Sequence, residues 1–75
     1  MVNLYKAKKN NSFNVVSLPD VGMLHNLGLR AGTHIRIQQR YGFGGPVLLR
    51  VEDAFSVAIG KDIASQILVK EALKS

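Results

Sequence analysis

Seventy-five residues make one small domain, and a chain this short buries only ~60% of the surface its unfolded form exposes, which leaves no room for a large active-site cleft. Ten Lys and Arg against five Asp and Glu give a net charge of +5, favouring nucleic acid, anionic headgroups or an acidic protein surface as partners. The chain has no cysteine, which excludes disulfides, iron–sulfur ligation and a thiol nucleophile and suits a reducing cytoplasm. The first residues lack the apolar stretch of a signal peptide, and no later run approaches the ~20 apolar residues of a membrane span. A soluble cytoplasmic protein is therefore expected. The basic residues are spread out: Lys6, Lys8 and Lys9 fall in residues 1–10, expected to be a frayed N-terminus, and Arg30, Arg36, Arg40 and Arg50 in the folded part. That spacing favours a solubilising surface over a dense nucleic-acid site.

In chain order, Phe13 to Val16 read as a first strand and Ser17-Leu18-Pro19-Asp20 as a helix entry capped by Ser17 or Asp20. A short helix then runs to about Leu27, with Leu24 and Leu27 on one face. Gly28 stands where a helix most often ends in a left-handed residue, which would fold Leu29 back onto Leu24. Gly32 has the spacing of the third position of a type II turn. From His34 to Tyr41 the pattern alternates, with Ile35, Ile37 and Tyr41 inward and His34, Arg36, Gln38 and Arg40 outward. Gly42-Phe43-Gly44-Gly45-Pro46 reads as a hairpin loop, after which Val47, Leu49 and Val51 face the core. The simplest register sets Arg36 opposite Glu52. After a turn at Asp53-Ala54, Phe55, Val57 and Ile59 form another inward face, Lys61 to Gln66 supply about one helical turn, and Ile67 to Val69 close the sheet. The expected fold is mainly β: a small SH3-like barrel of about five antiparallel strands with one short helix and one helical turn, in which closure leaves few exposed edges.

The ordered set Leu24, Leu27-Gly28-Leu29, Gly32, Ile35, Ile37, Gly45-Pro46, Val51, Ala64 and Ile67-Leu68-Val69 resembles the bacterial ferrous iron transport protein A (FeoA) family over nearly the whole chain. Two departures from the family pattern stand out. Ala31 stands where the family usually has proline, which loosens a turn, and Ala58-Ile59-Gly60 stands where it usually has Ala-Leu-Arg, which removes a positive charge. The resemblance implies a cytoplasmic accessory of ferrous iron uptake that binds the membrane permease FeoB, whose cytoplasmic portion is a GTPase. A related barrel occurs behind winged-helix DNA-binding domains in metal-dependent repressors, but this chain has no room for such a reader.

The residues offer little chemistry beside this. His25 and His34, nine apart, match no zinc signature and have no third ligand nearby in sequence. They are read as surface histidines with at most weak, adventitious transition-metal binding, and no metal site or cofactor is expected. Ser12, Ser17, Ser56 and Ser65 lie in no nucleophile motif, so the chain reads as a non-enzyme. The Gly-rich loop lacks the lysine and hydroxyl of a phosphate-binding loop. Tyr41 and Phe43 beside Arg40 have the makings of a base-stacking surface, but core and loop-anchor roles suit them better. Partner binding is expected around the helix and the adjoining basic strand face, at Leu24, Leu27, Leu29, Arg36 and Arg40. The alternative function is a small basic barrel that binds nucleic acid or an acidic regulatory protein, unrelated to transport.

Overall fold

The computed structural model describes residues 1–72. Six strands, β1 (Val2–Asn3), β2 (Ser12–Ser17), β3 (His34–Arg40), β4 (Val47–Val51), β5 (Phe55–Ile59) and β6 (Leu68–Glu71), form one antiparallel sheet in the order β1-β6-β2-β3-β4-β5. Two short helices, α1 (Gly22–Asn26) and α2 (Lys61–Ala64), sit between strands. The sheet bends into an SH3-like barrel around Leu24, Ile35, Ile37, Leu49, Ile59 and Val69, all essentially without exposure. β1 and β5 remain the two ends of the sheet. Across the opening α2 packs on the 3-10 turn Leu4–Lys6 that follows β1, with Lys61 Nζ 5.5 Å from the Tyr5 ring centroid.

The N-terminal stretch is built in rather than frayed, and it supplies the sixth strand. Val2 pairs with Val69 and Asn3 with Leu68; the Leu4 N–H donates to the Ile67 carbonyl at 2.7 Å. The Asn3 side chain accepts from the Lys6 N–H, and the turn this caps buries Leu4 and, just beyond it, Ala7. Lysines and asparagines give the segment its polar composition, but these two apolar residues carry its fold. Burying Leu4 alone is worth ~2 kcal/mol.

The helix entry also differs from expectation. The residue flanking α1 is Val21, which makes no side-chain cap, so neither Ser17 nor Asp20 caps it. Ser17 is still in β2, beyond a bulge between Val15 and Ser17. The helix exit follows the sequence closely. Gly28 has φ +78, its N–H donates to the His25 carbonyl at 2.9 Å, and the Leu29 N–H reaches back to the Leu24 carbonyl at 3.0 Å. Those two bonds satisfy the open carbonyls of a helix end. They also fold Leu29 beside Leu24, both buried at 2% and 1% exposure. Gly32 follows at φ +94, with Thr33 N–H on the Arg30 carbonyl at 3.0 Å, so the turn forms with Ala31 in it. Thr33 is the buried polar residue of this turn, and its Oγ1 accepts from the Arg30 N–H.

β3 carries the largest departure. A bulge between Ile37 and Gln39 shifts the register, so Arg40 pairs with buried Val47 and lies on the inner side of the strand. Tyr41, expected inward with Ile35 and Ile37, lies beyond the strand at 47% exposure. The partner of Arg36 is Arg50, not Glu52; Glu52 instead sits against His34, whose N–H donates to Glu52 Oε1 at 2.8 Å. The next turn centres on Glu52 and Asp53, both in the left-handed region, and closes with the Ala54 N–H on the Val51 carbonyl. In β5 the expected inward face fades along the strand. Ile59 is buried and Val57 half-buried, but Phe55, directly after the turn that starts the strand, is exposed.

An ideal Cβ at Gly28 meets nothing within 4 Å, so a side chain there costs backbone strain alone. Gly28→Ala should destabilise the domain by ~1 kcal/mol, and β-branched Gly28→Val by more. Gly28→Asn should cost less. Unchanged urea midpoints for Ala and Val would show that the left-handed closure is not what holds α1 on the core.

Candidate partner-binding surface

The five residues expected to bind a partner divide among four environments. Leu24 and Leu29 are core, so they support the surface and offer no contact area. Leu27, which flanks the end of α1, is half-buried against the same core. Arg36 is exposed on the outer face of β3, whereas the bulge sends Arg40 to the other side of the strand. Arg40 Nε and Nη2 are buried there without a hydrogen-bond partner among the described residues. The two arginines therefore do not share a face.

Arg50 takes the place beside Arg36. The two lie directly opposite on β3 and β4, and with Asn10, Gln38 and Asp53 they line a polar concavity of ≈ 410 Å³. Arg50 Nη2 donates to the Asp53 carbonyl at 3.1 Å, and Ser56 Oγ donates to Gln38 Oε1 at 2.7 Å. Directly opposed like charges destabilise a strand pair, so an anionic group seated between Arg36 and Arg50 relieves repulsion that the free protein carries. Sequence reasoning missed Arg50 because its register placed Glu52 opposite Arg36. The alternation of Val47, Leu49 and Val51 did mark Arg50 as outward, and that was the available signal.

Histidine and carboxylate placement supports no metal centre. His25 is exposed on α1, and His34 is half-buried on β3. Among the described residues no group of three or more His, Cys, Asp or Glu is placed to hold a metal ion. Nor is any helix long and apolar enough to cross a membrane.

A model of the FeoA domain matches residues 2–71. The chain belongs to the FeoA family. Membership supports a role in ferrous iron transport. The fold matches a crystal structure of an iron uptake regulatory protein (FeoA) at 25% identity and TM-score 0.84, covering 95% of this chain and 96% of that one. It matches an FeoA-like protein from Clostridium acetobutylicum at 24% identity and TM-score 0.81, over 99% of this chain and 90% of the other. A manganese-dependent transcriptional repressor shares the fold at 17% identity and TM-score 0.84. This chain corresponds to 36% of that repressor's length, with 93% of its own residues covered. Comparison with curated protein sequences gives no match. Gly60 is the residue that flanks the start of α2.

Two outcomes test the site. Arg36→Glu replaces a cross-strand repulsion by an attraction and should raise stability by ~0.5 kcal/mol; a lower urea midpoint would mean the two side chains do not oppose each other. Ferrous iron titrated anaerobically into the protein should give no stoichiometric site of micromolar affinity, since such a site needs several convergent ligands. A tight site abolished by His25→Ala or His34→Ala would overturn that expectation.

Proposed function

We propose that the protein is a cytoplasmic, non-enzymatic accessory of ferrous iron uptake that acts by binding the cytoplasmic GTPase portion of the FeoB permease. Family membership supplies the pathway, and the observation that carries the binding reading is the Arg36–Arg50 pair: two exposed or half-exposed guanidinium groups held opposite each other. Half-buried Leu27 adds apolar contact, and Leu24 and Leu29 fix the helix end that presents it. In such an interface apolar contacts supply affinity, while the arginines fix orientation and speed encounter with an acidic surface.

The test is an NMR titration of the labelled protein with the permease's cytoplasmic domain, an unrelated GTPase and a short DNA duplex. Shifts should cluster at residues 34–38 and 48–52 with the permease domain alone, and Arg36→Glu should weaken binding about tenfold or more. A response to DNA alone would replace this reading with nucleic-acid binding.

A further inference from the structure

The β3–β4 loop holds an aromatic side chain in a conformation that its own fold does not reward. Phe43 has φ +58, a region that favours glycine, and its ring is fully exposed. The strain is therefore balanced by no burial within the molecule. The loop is nevertheless ordered by its own bonds. The Tyr41 N–H donates to the Pro46 carbonyl at 3.1 Å and the Gly45 N–H to the Gly42 carbonyl at 3.2 Å. Gly45 is packed so closely that a Cβ there would fall 2.9 Å from Tyr41 Cβ. Half-exposed Tyr41 stands beside the tip.

Two cations flank this tip. Arg40, at the end of β3 where the loop begins, has Nε and Nη2 buried without a hydrogen-bond partner among the described residues. The Lys61 stem reaches the loop, its Cδ lying 3.9 Å from an ideal Cβ on Gly44, and its Nζ lies over the Tyr5 ring. The nearest acidic residue in sequence to Lys61 is Asp62, in the same first turn of α2. A ring on a preformed tip with positive charge behind it is complementary to an apolar pocket rimmed by carboxylates.

We propose that Phe43 is a docking anchor, and that its partner is a protein surface combining an apolar pocket with a rim of Asp or Glu. This rests on the reading above that the protein works by binding the permease, and it adds a second contact on the opposite end of the same hairpin from the Arg36–Arg50 concavity. A rigid aromatic entering a pocket is the typical energetic centre of an interface. A lipid surface fits less well, because even a whole myristoyl chain gives only marginal membrane affinity, about 10⁴ M⁻¹, and this tip offers one full ring and half of another.

The experiment measures binding of the full chain to the permease's cytoplasmic domain for the parent, Phe43→Gly, Phe43→Trp and Arg36→Glu, with thermal melts of each. Phe43→Gly should melt no lower than the parent, since it relieves the left-handed strain, yet bind at least tenfold more weakly; Phe43→Trp should keep most of the affinity. Parent-like binding by Phe43→Gly alongside weakened binding by Arg36→Glu would overturn the anchor while leaving the proposed function standing. No binding by the parent would overturn both. Vesicles containing anionic lipid, and sedimentation of the chain alone, complete the set. Phe43-dependent binding to vesicles, or a dimer lost in Phe43→Gly, would assign the ring to a membrane or to a second copy and overturn the proposal.

Discussion

The left-handed closure at Gly28 is the constraint on which the rest of the barrel depends. A five-residue helix is far too short to be stable by its own hydrogen bonds, so α1 exists only because its exit is fixed. The bond from the Leu29 N–H to the Leu24 carbonyl brings two leucines onto one apolar spot within a single reversal. Their combined burial is worth ~4 kcal/mol, a large share of what a domain of this size possesses. The same reversal delivers the chain to the Thr33 turn, where Gly32 N–H bonds the Val15 carbonyl and Val15 N–H the Thr33 carbonyl. That exchange ties the start of β3 to β2 and sets which face of β3 meets the core.

A second constraint, the one-residue bulge in β3, decides the surface. Before it, Ile35 and Ile37 point in and Arg36 points out; after it, Arg40 shares the side of Val47. Without the bulge Arg36 and Arg40 would form a continuous basic stripe, and Tyr41 would help fill the core. With it, positive charge is split between an outer concavity and the loop end of the hairpin, and the aromatic ring of Tyr41 is left at the surface. Bulges of this kind commonly re-aim a side chain near a functional site.

Features that rest on local chemistry were legible in the sequence. Gly28 and Gly32 marked reversals because few other residues adopt positive φ, and the aliphatic alternation of β3 and β4 named the core residues Ile35, Ile37, Val47, Leu49 and Val51. The N-terminal strand was hidden because it requires pairing with β6, some 65 residues away, and nothing in a lysine-rich segment announces that pairing. The hairpin register failed for a countable reason. A loop of residues 41–46 is centred between Phe43 and Gly44, and the bulge slips the pairing one further residue, which exchanges Glu52 for Arg50 opposite Arg36. Leu24 and Leu29 were named correctly as structurally tied to α1, but a leucine pattern cannot distinguish a contact surface from the core beneath it.

The β3–β4 hairpin, which carries both proposed contacts, lies within the sheet and not at either end of it. β3 is paired on both sides, to β2 and β4, and β4 to β3 and β5, so neither strand can shift without disturbing the core of Ile35, Ile37, Val47 and Leu49. A partner meeting Arg36, Arg50 or the loop meets groups already fixed in position, and association then loses little conformational entropy beyond that of the side chains themselves. Preorganisation suits a domain with so small a surface to offer. Where few contacts are available, affinity comes from presenting each of them without further ordering, and a rigid sheet supplies that condition for the proposed contacts of Phe43, Arg36 and Arg50.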